Sequence, residues 1–440
     1  MAAKTIGIGM IGCGTIGGGV AKLLRDHVEI YQQRTGCRIE LKSVLVRSQD
    51  MTRVLDEGFV TAGQLTDDPE AFFNTPDMSI VIELAGGRGA VSKLVRQAIE
   101  SGRHVVTANK ALLAAEGPEL FALARKSDVA IAFEASCGGG IPCINVLMAG
   151  LMANEIHALY GILNGTCNYI LTEMIQHGRT YADALKEAQQ LGYAEADPTL
   201  DVGGHDTASK ISILASLAFG VKVDPHDVST QGIDGLELAD VRAGRELGYD
   251  IKLLGIAERE PGSEQVAITT RPCFISNQSL LAQVHGAFNA LSVYGHSVGH
   301  TLYYGQGAGR FPTASAVVAD VLNLVNGSYV ALFANMALTP DLKQPAQLRP
   351  TAELVSRWYL RFQAIDAVGT IARISDVLGA ADISISAVIQ HEVKKGQHVP
   401  LVFSTHEARE GDVRLAVEKI AQLPVVEGEP VVIRIVDFPA

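Results

Sequence analysis

From the first residues, apolar positions alternate between strand-like and helix-like spacing. "TIGIGMI" (5–11) reads as a strand, and a helical pattern follows from about Gly14 to Tyr31. The next strands are "IELKSVLV" (39–46), "SIVIEL" (79–84), "HVVTA" (104–108) and "VAIAFEA" (129–135). Among them, "AVSKLVRQAIESG" (90–102) is an amphipathic helix stopped by glycine, and another helix surrounds Pro118. Alternation of β-branched strands with helices predicts a parallel sheet covered by helices on both faces.

The texture changes after Pro142. "EIHALYGIL" (155–163) is a strand, followed by two helical stretches. Then "DIKLLGIAERE", "EQVAITTRPCFI", "NALSVYGHSV" and "HTLYYGQG" read as strands without long helices, which predicts an α+β domain with a mostly antiparallel sheet. "RFPTASAVVADVLNLV" (310–325) is again helical, with Pro312 suited to its first turn. The proline-rich stretch after it reads as a linker. A βαββαβ pattern then predicts a small split α/β sandwich. The expected parts are a Rossmann-type dinucleotide-binding domain (1–135), a substrate-binding and dimerisation domain (136–309), a helix returning to the first domain (310–337), a linker (338–352) and a small C-terminal domain (353–440).

Composition narrows the classes. The chain has 440 residues, 48% apolar and 19% charged, which suits a multidomain globular protein. A net charge of −12 argues against nucleic acid or an anionic membrane as partner. The six cysteines are scattered with no CxxC pair, unlike a secreted disulfide framework or a zinc site. The N-terminus enters an apolar strand almost at once, and no apolar run reaches the roughly 18 residues of a membrane span. The expectation is a cytoplasmic protein with reduced thiols.

"GIGMIGCGTIGGGV" holds Gly12, Gly14 and Gly17 in GxGxxG spacing, after a strand and at the head of a helix. The first glycine permits a tight turn, the second admits a pyrophosphate and the third lets helix and sheet pack closely. The phosphates would sit at the helix N-terminus beside Thr15 and Ile16. The second strand ends in Arg47 and Ser48, where an acid would bind the ribose hydroxyls of NAD. A guanidinium there favours the 2′-phosphate, so NADP is the expected cofactor and NAD the alternative.

Lys110 follows a strand at the carboxyl edge, where open α/β sheets bind ligands. Farther on, "GYAEADPTLDVGGHDTASK" (192–210) gathers Glu195, Asp201, Asp206 and Lys210 around a glycine-rich turn. If a helix begins near His205, Asp206 and Lys210 share one face at i,i+4. Reducing an aldehyde needs a hydride and a proton on the forming alkoxide, and a lysine can deliver that proton. Glu195 is suited to a substrate ammonium, and Asp201 either to the same role or to holding the turn. A solvated surface ion pair explains the same spacing, and the residues alone leave the two readings open.

The stretch from Ala188 to Lys210 resembles the signature of homoserine dehydrogenases, matching Ala188, Gly192, Asp197, Pro198, Asp201, Gly204, Asp206 and Lys210. "GILNGTCNYIL" (161–171) and "TANKALLA" (107–114) are similar to that family too, and the last domain resembles an ACT regulatory domain. The resemblance implies NAD(P)-dependent interconversion of L-aspartate 4-semialdehyde and L-homoserine, on the route to threonine, methionine and isoleucine. It implies Lys210, with Lys110, as proton-transfer residues and Glu195 and Asp206 at the amino and hydroxyl ends of the substrate. It places Gly192 and the Gly307 backbone near the cofactor. It also implies a sodium-like monovalent cation in "EASCGGGI", held by Glu134 and the carbonyls of Cys137, Gly139 and Ile141.

In the ACT-like domain, Asp366 and the amides around Gly369 are suited to an amino-acid effector, with L-threonine expected. A purely structural dimerisation module is the alternative there. A homodimer or homotetramer is expected for the whole chain. Two other functions compete. Cys137 suggests a semialdehyde dehydrogenase working through a thiolate. A non-catalytic amino-acid sensor would use the same domains without turnover.

Overall fold

The computed structural model describes residues 4–336, 341, 343–391 and 398–439. Of the expected linker, residues 338–340 and 342 therefore lie outside the described residues, as does residue 337 before it.

The first sheet is built from β1 (Lys4–Ile11), β2 (Cys37–Leu45), β3 (Leu65–Thr66), β4 (Met78–Glu83), β5 (His104–Thr107) and β6 (Ile131–Ala132). Its order is β3-β2-β1-β4-β5-β6 and every pairing is parallel, the Rossmann arrangement. The strands are apolar because they are central: Ile8, Met10, Val81, Ile82, Val105 and Val106 are fully buried.

Two expected elements differ from their patterns. The 14–31 helix is two helices, Thr15–Asp26 and Val28–Thr35, broken at His27 with φ −122° and ψ 25°. The 129–135 strand pairs only at Ile131 and Ala132. There Phe133 leaves the extended region, and the Glu134 amide donates to Asp320 Oδ2 at 2.8 Å instead of to a neighbouring strand.

The later strands are β7 (Ile156–Ile162), β8 (Ser229–Thr230), β9 (Tyr249–Glu258), β10 (Gln265–Ser276), β11 (Phe288–Gly295), β12 (Gly299–Gln306), β13 (Gln347–Leu348), β14 (Val355–Ile365), β15 (Ile385–Gln390), β16 (His398–Thr405), β17 (Ala408–Arg409) and β18 (Val426–Val436). The chain folds into two compact units. One holds Met1–His157, Ser209–Asp227 and Asn289–Ala346; the other holds Ala158–Ala208, Val228–Phe288 and Gln347–Ala440. This division differs from a simple cut at residue 135, because helices and strands far along the chain close the first unit. Within it, the Arg310–Val325 helix packs on the Thr15–Asp26 helix. A Cβ at Gly19 would stand 3.0 Å from the Arg310 carbonyl oxygen, so glycine sets that close approach.

The second unit holds a sheet in the order β7-β9-β10-β18-β14-β16-β15. β10 runs antiparallel to β9 along one edge. Its other edge is covered in succession by β13, β8 and β18, all parallel. The C-terminal βαββαβ module thus continues the same sheet through β18.

Alternation along β14 sorts that module's two faces. Trp358, Leu360, Phe362 and Ala364 pack under the module's helices with Ile374, Leu378, Val413 and Ile420. Tyr359 points the other way, into a core shared with Ile170, Leu171, Ile251 and Phe274. Arg361 lies on the same face as Tyr359, and both bond Asp240. Among the described residues no single helix is long and apolar enough to cross a membrane.

Candidate active site

In the first unit the glycine-rich turn joins β1 to the Thr15–Asp26 helix. Gly12 has φ +87°, and a Cβ there would lie 2.6 Å from the Ala85 nitrogen, so only glycine fits. A Cβ on Gly17 would stand 2.6 Å from the Gly12 carbonyl oxygen, which makes it the helix–strand packing glycine. Gly14 faces open space and precedes the helix, leaving Thr15 and Ile16 at an anion-attracting end. Sequence reasoning missed Arg53, whose guanidinium donates to the Cys13 carbonyl at 3.1 Å and braces the turn.

Just past β2, the Arg47 side chain is 76% exposed and its Nε donates to Asp50 at 2.8 Å. Ser48 donates its hydroxyl to Asp67. Both stand beyond the carboxyl end of the strand adjoining β1.

Lys110 opens the Lys110–Lys126 helix directly after β5, and Asn109 caps that helix by accepting from the Leu112 amide at 3.1 Å. Lys210 lies in the His205–Phe219 helix, and both lysines are half-buried. The Cys137 thiol lies 3.9 Å from the Lys210 carbonyl oxygen, and the charges of both lysines favour its thiolate. Burial overrides them and pushes the Cys137 thiol up to about 12. A thiol so protonated at neutral pH is a poor nucleophile, which argues against the thiolate mechanism.

The loop beyond Cys137 is held by Glu134. Its Oε1 accepts from the Ile144 amide at 2.9 Å and its Oε2 from the Asn145 amide at 2.7 Å. Burial raises its pKa to about 7, partly opposed by those two amides. The carboxylate therefore anchors backbone, and the Glu134 carbonyl in turn accepts from the Cys137 amide at 3.3 Å. The donor set at 134–141 is oxygen, the hard chemistry that suits a hard monovalent ion, although the Ile141 carbonyl already accepts from Cys143 at 2.8 Å. Gly307 packs against this loop: a Cβ on Gly139 would lie 2.3 Å from the Gly307 carbonyl oxygen.

In the second unit the acids sort themselves. Asp197 is a turn residue, accepting from the Thr199 amide and hydroxyl, which hold its pKa below the ordinary value. Glu195 is exposed, and its carbonyl accepts from Gln189 at 3.2 Å. Gly192 has φ +75° just after the Tyr181–Gln190 helix. Asp201 and Asp206 converge on Asn164. Its amide nitrogen donates to Asp201 Oδ1 at 2.7 Å and to Asp206 Oδ2 at 2.9 Å. Its oxygen caps the Gly165–His177 helix by accepting from Cys167 at 2.9 Å. Sequence reasoning missed Asn164 as a site residue; an Asn ahead of Gly and a helical run was the available signal.

In the C-terminal module Gly369 has φ +88° and caps the Thr370–Ala380 helix. Asp366 accepts from Gln390 Nε2 at 3.2 Å. Asp366, Gly369, Thr370 and Gln390 line a cavity of about 180 Å³.

Three family profiles match in order along the chain. "Homoserine dehydrogenase, NAD binding domain" covers residues 12–134, "Homoserine dehydrogenase" covers 142–322 and "ACT domain" covers 358–425. Among curated proteins, homoserine dehydrogenase of Neisseria gonorrhoeae is 41% identical, over 98% of this chain and 98% of its own. That of Synechocystis is 42% identical over 98% and 99%. The crystal structure of a homoserine dehydrogenase from Thiobacillus denitrificans superposes with a TM-score of 0.91 at 42% identity, covering 99% of both chains.

Proposed function

Because the chain belongs to the homoserine dehydrogenase family of NAD(P)-dependent oxidoreductases, we propose that Lys210 and Lys110 manage the proton of the reaction while the acids grip the substrate. The reaction interconverts L-aspartate 4-semialdehyde and L-homoserine. When bound, the nicotinamide supplies or accepts the hydride at the aldehyde carbon. Lys210 gives the alkoxide oxygen its proton in the reductive direction and recovers it in the other, with Lys110 beside it. Glu195 and Asp201 take the substrate ammonium, and Asp206 orients the hydroxyl end. The single observation behind this reading is the His205–Phe219 helix, which carries Asp206 and Lys210 at i,i+4 on one face. Asn164 adds support by orienting Asp206.

The remaining assignments follow the same logic. Gly12, Gly14, Thr15, Ile16 and Gly17 receive the pyrophosphate, and the Gly192 and Gly307 backbones approach the cofactor. Exposed Arg47, with Ser48, favours NADP over NAD. Glu134 and the carbonyls of Cys137, Gly139 and Ile141 would hold sodium and stiffen the loop beside the lysines. Residues 1–135 serve the cofactor, 136–309 substrate and dimerisation, and 353–440 regulation, in a cytoplasmic homodimer or homotetramer. L-threonine is the proposed effector at Asp366 and Gly369.

The test follows NADPH absorbance with L-aspartate 4-semialdehyde, with NADH and added L-threonine as further arms. Oxidation should slow by about 1,000-fold in Lys210→Ala, as when a positioned acid–base group is lost. No turnover by folded wild-type protein would favour the sensor reading.

A further inference from the structure

We propose that Glu83 is a positioning residue for hydride transfer, locking the first turn of the Lys110 helix to the glycine-rich cofactor turn. This rests on the reading of Lys110 as a site residue. Glu83 ends β4 and is fully buried, where an acid is tolerated only if its oxygens are satisfied. Both are. Oε1 accepts from the Gly86 amide at 2.9 Å, and Oε2 accepts the Thr107 hydroxyl proton at 2.7 Å.

That second bond sets a direction. With its proton committed to Glu83, the Thr107 oxygen presents a lone pair to the Asn109 amide at 3.0 Å. Asn109 then donates its side-chain amide to the Gly87 carbonyl at 2.7 Å and caps the helix that Lys110 begins.

The segment thus clamped, residues 84–87, lies against the cofactor turn. The Leu84 amide donates to the Ile11 carbonyl at 2.8 Å, and Gly12 packs on Ala85 so closely that a Cβ could not fit. One carboxylate therefore ties the turn awaiting the pyrophosphate to the turn carrying Lys110. A space-filling role would be met by any residue of similar size. This network instead requires an acceptor on both oxygens. Gln in place of Glu83 would direct its NH2 either at the Gly86 N–H or at the Thr107 hydroxyl, and the relay would reverse or open.

Hydride transfer tolerates little displacement, and an error of about 1 Å in the reacting groups lowers rate by up to about 100-fold. The experiment compares wild type, Glu83→Gln, Thr107→Val and Thr107→Ser in the full-length protein. It measures kcat and KM for L-homoserine and NADP, with Tm recorded separately. We expect kcat to fall by about tenfold or more in Glu83→Gln and Thr107→Val, with homoserine KM within about twofold. Thr107→Ser, which keeps the hydroxyl, should return kcat to within about twofold of wild type. Should Glu83→Gln fail to fold, the Thr107 pair decides alone. Wild-type kcat in Thr107→Val, or a loss that Thr107→Ser does not restore, overturns the positioning role while the wild-type turnover leaves the enzyme reading intact. No wild-type turnover overturns both.

Discussion

Two regions of the second unit bury carboxylates, and they satisfy them with different chemistry. Near the turn at Gly203 and Gly204, Asp201 and Asp206 share the amide of Asn164. Where the C-terminal module meets the rest of the sheet, arginines do the work. Arg361 forks onto both oxygens of Asp240, with the Tyr359 hydroxyl as a further donor. Arg271 forks onto Glu410, which also receives Arg414. An amide orients an acid without itself cancelling the charge. A guanidinium orients and neutralises together, so the second region is built to stay shut.

The largest effect should come from breaking the neutralised side. Asp240→Ala leaves Tyr359 and most of the Arg361 fork without their buried acceptor. Truncating one partner of such a pair costs about 3–5 kcal/mol. Denaturant titration should show that loss, while kcat in the folded protein stays near wild type. A loss below 1 kcal/mol would place this pair with exposed ones and erase the contrast.

Asn164→Asp sharpens the comparison from the other side. The new carboxylate can still cap the helix at Cys167, so the fold should hold. It replaces the shared donor with a third negative charge facing Asp201 and Asp206. We expect kcat/KM for homoserine to drop by about 100-fold with little change in Tm. Equal losses in both quantities would mean that Asn164 serves the fold rather than the site.

A smaller effect is expected at Glu134, held by neither an amide side chain nor a guanidinium but by two backbone amides. Its folded pKa is raised from 4.5 to about 7. A raised acid gives stability that is fully present below the unfolded value and is lost as pH climbs through the folded one. Wild-type Tm should therefore fall between about pH 4.5 and 7, and Glu134→Gln, which mimics the protonated acid, should flatten that slope. An unchanged slope would assign the pH dependence to other groups.

The sequence announced some of this architecture and concealed the rest, and separation along the chain explains the difference. Gly12, Gly14 and Gly17 are legible because turn, strand and helix are contiguous, and each glycine answers a constraint set nearby. The βαββαβ order of the last module is likewise local. Asn164 meets its acids only after 37 and 42 residues, and Glu83 meets Thr107 after 24, so neither partnership leaves a spacing to read. The 129–135 strand looked complete because its apolar run is complete. It stops early because Asp320, 186 residues later, captures the Glu134 amide. Arg47 was visible as a cation at the right strand end, but its pairing with Asp50 belongs to a turn that composition does not reveal.

The edge of β10 has one more consequence. Cys273, Phe274 and Ile275 find their partners in Arg434, Ile435 and Val436, which leave the ribosome long after them. Until then that stretch is an open backbone edge beside apolar side chains, a template for another chain. A nonsense codon in the C-terminal module would make the vulnerability permanent. Its phenotype should be insoluble protein and low abundance rather than an active enzyme freed from control.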